Sequence, residues 1–277
     1  LIKTLIILYP EENMRFRPCI DIHNGAVKQI VGGSLRDELD TPRENFVSQL
    51  NGDFYGNMYR ESGLTGGHVI LLNPVTGPFY HEDVEQAGLA LGAYPGGLQL
   101  GGGINPENAG SFLDMGASHV IVTSYVFKDG RINMDNLDKM AATVGKKRLV
   151  LDLSCRKRDG RYYIVTDRWQ KFTEVVLDES ILDMLADYCD EYLIHAVDVE
   201  GKASGIEEEL VTLLGSWGKI PITYAGGIGS FYHLDRIKLL GRDRVDVTVG
   251  SALDIFGGSM KYEDVIDFCT TGRCAEI

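Results

Sequence analysis

The sequence lacks a basic surplus: 27 lysines and arginines stand against 40 aspartates and glutamates, and no Lys/Arg-rich run escapes that balance. A formal net charge of −13 excludes a general nucleic-acid binder, which needs a basic face. Local cationic groups remain available for phosphates. Cysteine is sparse as well, with Cys19, Cys155, Cys189, Cys269 and Cys274 scattered, odd in number and without close metal-ligand pairing. That pattern favours a reducing compartment and buried or incidental thiols over a disulfide framework or a zinc site. No segment approaches the roughly 18 apolar residues that span a bilayer. The apolar opening, Leu1 to Leu8, is short, has no small-residue cleavage site and runs into Glu11-Glu12. Residues 1–15 are therefore read as an extension, with Met14 as the natural beginning, and 16–277 as one domain.

What the chain does have is a motif used twice. Gly101-Gly102-Gly103-Ile104 is answered by Val122-Thr123-Ser124, and Ala225-Gly226-Gly227-Ile228 by Val249-Gly250-Ser251. Each glycine pair closes an apolar run, and each partner closes the next. Glycines at a strand-to-loop turn let backbone N–H groups approach a phosphate, and a hydroxyl and a helix N-terminus complete an anion site. Two such sites suit a ligand with two phosphates. Glycine at a strand end is also an ordinary turn residue, so the recurrence rather than either pair carries the reading. The repeat extends to Pro18-Cys19-Ile20-Asp21-Ile22 and Leu149-Val150-Leu151-Asp152-Leu153, each with an acid at the end of a strand. The period is near half the chain, which implies two similar halves.

Eight short β-rich runs stand out: Phe16–Ile22, His68–Asn73, Gly97–Gly101, His119–Thr123, Arg148–Leu153, Tyr192–Val197, Pro221–Ala225 and Val245–Val249. Most are apolar on successive positions, as parallel strands buried on both faces are. Helical spacing lies between them. Asn105-Pro106 reads as an N-cap with proline at the first helical position, and Asn133–Val144, Asp178–Tyr188 and Ile206–Leu214 carry apolar stripes. The alternation, with no long linker, selects a (β/α)₈ TIM barrel of two half-barrels, ahead of an open α/β sheet. One loop breaks the rhythm after the fifth run. Basic Arg156-Lys157-Arg158, a turn-forming Asp159-Gly160, β-rich Tyr162–Val165 and Trp169 predict a β-hairpin flap over the end of the barrel that carries active sites.

Asp21 and Asp152 then reach the mouth from opposite sides, a pair suited to proton removal at one point and donation at another. A single such Asp more often caps a turn; two at equivalent ends of repeated halves favour chemistry. His195 has two readings, a satisfied buried histidine or a catalytic one. Trp169 is core or, from its place in the flap, a stacking platform. Asp198 and Glu200 read as solvated or helix-capping acids.

Several stretches together resemble one family. They are Cys19-Ile20-Asp21-Ile22-His23-Asn24-Gly25 with Val27-Lys28-Gln29, both glycine motifs, Val150–Lys157 and Gly250-Ser251. The pattern resembles the phosphoribosylformimino-aminoimidazole carboxamide ribotide isomerases of histidine biosynthesis, and the long flap is similar to their eukaryotic-type branch. The similarity runs from about Phe16 to Phe256. It implies a duplicated barrel with no metal and no cofactor, which turns a bisphosphorylated aminoaldose into an aminoketose by an Amadori rearrangement. It also implies Asp21 as base at ribose C2, Asp152 as the acid that opens the ring, and Trp169 stacked on the aminoimidazole. Gly102, Gly103, Thr123, Ser124, Gly226, Gly227, Gly250 and Ser251 would hold the phosphates. The partner expected is thus a small bisphosphorylated ribotide, with no nucleic acid or membrane, on a monomer in the cytoplasm; composition does not separate cytosol from plastid.

Two positions depart from the family's common bacterial pattern. His195 stands where a Thr ends strand six, followed by Glu200-Gly201-Lys202 in place of Asp-Gly-Thr, and Asn73 stands where strand two usually ends in Asp. The competing readings are the sister imidazole-glycerol-phosphate cyclase and a noncatalytic phosphosugar-binding barrel. The cyclase's Asn-Phe-Gly-Gly stretch is replaced here by Lys28-Gln29-Ile30-Val31-Gly32-Gly33. Phosphoribosylanthranilate isomerase would need one phosphate site and usually a Cys at the position of Asp21.

Overall fold

A computed structural model describes residues 13–30, 44–167 and 169–272. The apolar opening, Val31–Gly33 and Cys274 lie outside the described residues. Eight strands, β1 Cys19–His23, β2 Gly67–Leu71, β3 Leu98–Gly101, β4 Val120–Val122, β5 Leu149–Asp152, β6 Glu191–His195, β7 Ile222–Ala225 and β8 Val245–Thr248, pair in parallel in chain order. The ring closes where Phe16 bridges Val247, with Arg17 N donating to Val247 O at 2.8 Å and Val247 N to Arg15 O at 2.9 Å. Met14 is already buried in the core beside this seam. The architecture is the expected α/β TIM barrel.

A helix follows each strand: α1 Gly52–Glu61, α2 Tyr80–Ala93, α3 Ala109–Asp114, α4 Met134–Val144, α5 Glu179–Leu185, α6 Glu208–Trp217, α7 Phe231–Leu240 and α8 Tyr262–Thr271. Asn133 caps α4 by accepting from Asn136 N at 3.0 Å, and Asp178 caps α5 by accepting from Ile181 N at 3.0 Å. Each cap satisfies an N–H that the helix itself leaves open. The expected start at Asn105-Pro106 is corrected. Asn105 Oδ1 accepts from the N–H groups of Glu107 and Asn108, which ties those residues into a turn and delays α3 to Ala109.

Alternation along each strand separates two faces. Outward residues such as Ile20, Ile22, Val69, Leu98, Leu100, Leu149, Leu151, Ile194 and Val247 join the main core with the helices. The inward face is not uniformly apolar, a correction to the reading of the runs. Among the described residues, Ile121, Val150 and Leu193, with Ile70 against them, form a small inner apolar cluster. Below it, buried Arg17 meets Glu191 Oε2 at 3.0 Å and Asp246 Oδ2 at 2.7 Å. Above it stand the acids of the mouth.

Each half opens with an antiparallel excursion. After β1 come strands Ala26–Ile30 and Glu44–Val47, which the sequence reading did not mark. After β5 comes the expected hairpin, Cys155–Arg158 with Arg161–Thr166 turning at Asp159-Gly160, extended by a third strand Lys171–Val176.

Candidate active site

The strand ends and their loops enclose a cavity of about 470 Å³ at the C-terminal mouth of the barrel. Asp21, Asp152, His195, Trp169, both glycine pairs, Thr123, Ser124, Gly250 and Ser251 all line it. Residues up to 230 positions apart in the chain are therefore gathered by the ring order of the strands alone.

The two glycine cradles are built alike. Gly102 has φ +106° and Gly226 φ +122°, values an L side chain rarely adopts. A Cβ at Gly102 would run into the carbonyl oxygen of Leu71, and one at Gly226 would lie 2.8 Å from that of Ala196. In both halves the glycine lets the loop pass over the end of the preceding strand. The loops that answer them differ: Thr123 leads into a turn and a two-stranded hairpin, Phe127–Lys128 with Arg131–Ile132, whereas Ser251 leads to a 3₁₀ turn at Asp254–Phe256.

Between the cradles the acids sit in unlike environments. Asp21, the third residue of β1, has its pKa raised to about 7, chiefly by burial and then by the charge of Glu200, with His195 acting against both. Asp152 ends β5. Burial pushes its carboxyl up too, but His195 and the hydroxyl and N–H of Ser154 outweigh that and hold it below the usual carboxylate range. Ser154 Oγ donates to Asp152 Oδ1 at 2.6 Å, and Ser154 N to the same oxygen at 2.8 Å. His195 ends β6, with Nδ1 at 3.7 Å from Asp152 Oδ1. Burial works to lower its pKa, but the Asp152, Glu200 and Asp21 carboxylates raise it to about 9. His68, which packs edge-on against it at 5.9 Å, is driven the other way, to about 3, by burial and by the His195 charge.

Glu200 is the acid that sequence reasoning passed over. It lines the cavity, its Oε2 is buried without a hydrogen-bond partner, and burial raises its pKa. A buried, unpaired carboxylate oxygen is costly to keep, which marks it for an incoming donor. The signal available was its position two residues after Asp198 and next to Gly201 in the loop that leaves β6. Asp198 is also no solvated acid: its Oδ1 accepts from Arg156 Nε at 2.8 Å and its Oδ2 from Lys157 N at 3.0 Å, which fastens the flap. Asn73, two residues past the end of β2, lines the cavity and exchanges two hydrogen bonds of 2.8 Å with Asn24.

Of the flap, Val165, Thr166, Asp167 and Trp169 line the cavity, whereas its basic residues Arg156, Lys157 and Arg158 do not. Arg158 lies over Tyr163 at 4.3 Å and over Phe172 at 4.7 Å. Trp169, at φ +67°, rests 5.5 Å from the His195 ring and donates from Nε1 to Ser154 Oγ at 3.0 Å. Among the described residues, no group of three or more His, Cys, Asp or Glu is arranged to hold a metal ion.

Known proteins align with this chain over most of its length. The isomerase named 1-(5-phosphoribosyl)-5-((5-phosphoribosylamino)methylideneamino)imidazole-4-carboxamide isomerase, chloroplastic, of Medicago truncatula is 55% identical over 258 residues, 92% of this chain and 81% of that protein. The isomerase of the same chemical name from Yarrowia lipolytica is 45% identical, covering 92% of this chain and 97% of its own length. That of Saccharomyces cerevisiae is 43% identical, at 90% and 96%. The model of the histidine biosynthesis protein family matches residues 15–261, from the seam that closes the barrel to the residue before the last helix, so that this barrel, with its paired acids and twin glycine cradles, belongs to the histidine biosynthesis protein family.

Proposed function

We propose that this chain is an isomerase of histidine biosynthesis that converts the bisphosphorylated aminoaldose, the ribotide named in its relatives, to the aminoketose by an Amadori rearrangement. The observation that carries the reading is one cavity with a glycine cradle on each side and two carboxyls of opposite tendency between them. One phosphate would sit on Gly102, Gly103, Thr123 and Ser124, the other on Gly226, Gly227, Gly250 and Ser251. Held this way, the ribose lies across the acids, and positioning supplies much of the rate.

The steps follow from the side chains. Asp152 gives a proton to the ribose ring oxygen, the C1–O bond breaks, and the glycosylic nitrogen's lone pair forms the Schiff base. Asp21 then takes the proton from C2, and the resulting enolamine tautomerises to the ketone. A base titrating near 7 suits that removal at neutral pH. Trp169 would leave Ser154 to stack on the aminoimidazole. The buried free thiols Cys19, Cys155, Cys189 and Cys269 support a reducing compartment, the cytoplasm or a plastid like that of the Medicago relative.

The test is conversion of the aminoaldose by purified protein without ammonia. Asp21→Asn and Asp152→Asn are each expected to lower turnover about 10²–10⁴-fold. Substrate affinity should stay within about tenfold, or roughly 1.4 kcal/mol. Turnover that requires the aminoketose and ammonia would transfer the protein to the cyclase reaction, and binding without turnover would make it a phosphosugar-binding barrel.

A further inference from the structure

Asp152 poses a difficulty as an acid, because its surroundings keep it ionised. The proton it delivers has to come from a neighbour. His195 is the obvious store, yet its Nδ1 is 3.7 Å from Asp152 Oδ1, too far for direct handover by hydrogen bond. Ser154 fills that gap. Its side chain is fully buried and its oxygen meets three groups at once: Asp152 Oδ1 at 2.6 Å, Trp169 Nε1 at 3.0 Å and His195 Nδ1 at 3.3 Å.

The valence of a hydroxyl decides how these contacts are used. It has one proton and two lone pairs, the indole N–H can only donate, and an ionised carboxylate can only accept. Trp169 therefore takes one lone pair, Asp152 takes the proton, and the remaining lone pair is satisfied when Nδ1 of His195 carries hydrogen. The result is a continuous imidazole–hydroxyl–carboxylate chain, with the backbone N–H of Ser154 fixing the carboxylate end at 2.8 Å. The charged or titratable groups facing His195 are Asp152 from β5, His68 from β2, Asp21 from β1 and Glu200 from its own following loop.

We propose that Ser154 is a positioning residue that relays a proton from His195 to Asp152 as the ribose ring opens. Ser154 Oγ passes its own proton to the ionised carboxylate at Oδ1 and receives the one on Nδ1, and the Asp152 carboxyl protonated in this way hands that proton to the ring oxygen. The C1–O bonding pair stays on the newly formed hydroxyl, and the nitrogen lone pair makes the C1=N bond. Charge balances, since the positive charge lost by the imidazolium appears on the Schiff base. Carboxylate and serine hydroxyl end as they began. The inference rests on the isomerase reading of this site.

Single-turnover conversion of the aminoaldose in mixtures of H₂O and D₂O tests it, with wild type, Ser154→Ala and Ser154→Thr compared. Wild type is expected to give a curved dependence on deuterium fraction, the mark of more than one proton in flight, and a rate that falls above about pH 9 as His195 loses its proton. Ser154→Ala should be slower by about tenfold or more, within the range of a general acid–base contribution, with affinity within about threefold and a linear dependence. Ser154→Thr should restore rate and curvature. A linear dependence in wild type, or an alanine variant that keeps the wild-type rate or the curvature, overturns the relay; the wild-type curve decides alone where the alanine variant does not fold. No conversion by wild type overturns the isomerase reading instead.

Discussion

Asp21 combines two demands that conflict. Its carboxyl ionises near 4 in an unfolded chain but at about 7 here, mainly because it is buried and faces Glu200. A folded-state pKa raised in this way gives stability that is complete below the unfolded value and is lost as pH climbs through 7. Asp21→Asn is thus expected to stabilise the protein at pH 8, by on the order of 1–4 kcal/mol, and to change little at pH 3.5. Thermal melts of both proteins at the two pH values check this, and equal shifts would contradict the burial argument. At this scale the sequence was a partial guide. Asp21 and Asp152 were readable because a duplicated position shows in the letters. Glu200 and Ser154 were not, because their importance comes from what lies opposite: Glu200 faces Asp21 across the barrel, and Ser154 acquires its three contacts only when β5, β6 and the flap converge.

The flap is the element that departs most from a plain barrel. It is fastened by Asp198, which binds Arg156 and Lys157, by Tyr162, whose hydroxyl donates to Glu207 at 2.8 Å, and by Lys157 with Glu209 at 2.6 Å. The last pair is solvent-exposed and contributes little. Asp198→Ala removes two acceptors and should loosen the flap, with KM rising about tenfold, since one charge-assisted bond contributes roughly 1.5 kcal/mol. Steady-state kinetics with proteolysis at Arg156–Arg158 measures it, and unchanged KM with unchanged cleavage would place the fastening elsewhere. Asp159-Gly160 announced the first turn of this element in the sequence. Its third strand was hidden because Lys171–Val176 takes its partners from Arg161–Thr166 and, through Glu174 N, from Gly130, and no local pattern records a partner. α1 escaped notice for a related reason. Its Gly52 and Gly56 admit the backbone carbonyls of Gln86 and Ala90 on α2, a packing role that no local pattern records.

For the whole molecule, closure depends on a charged floor. Arg17, just before β1, meets Glu191 on β6 and Asp246 on β8, and Thr223 on β7 donates to Glu191 at 3.2 Å. These strands come from both ends of the chain, so the network secures the seam. Removing one partner leaves buried charge uncompensated, and Arg17→Met is expected to cost about 3–5 kcal/mol by urea unfolding. A loss below about 1 kcal/mol would mean that the seam is held by its backbone bonds alone. Eight strands were legible as eight runs because their outward faces are continuously apolar. The polar floor was not, since an inward Arg or Glu in such a run looks like the strand's end. The whole chain holds two tryptophans, and they differ. Trp217 is buried and tied to Asp183 at 2.7 Å, whereas Trp169 lies beside the His195 ring. A protonated imidazole quenches indole emission on contact, so the site carries its own optical reporter: a ligand that draws Trp169 off His195 should brighten the protein, even in variants such as Asp21→Asn that bind but turn over slowly.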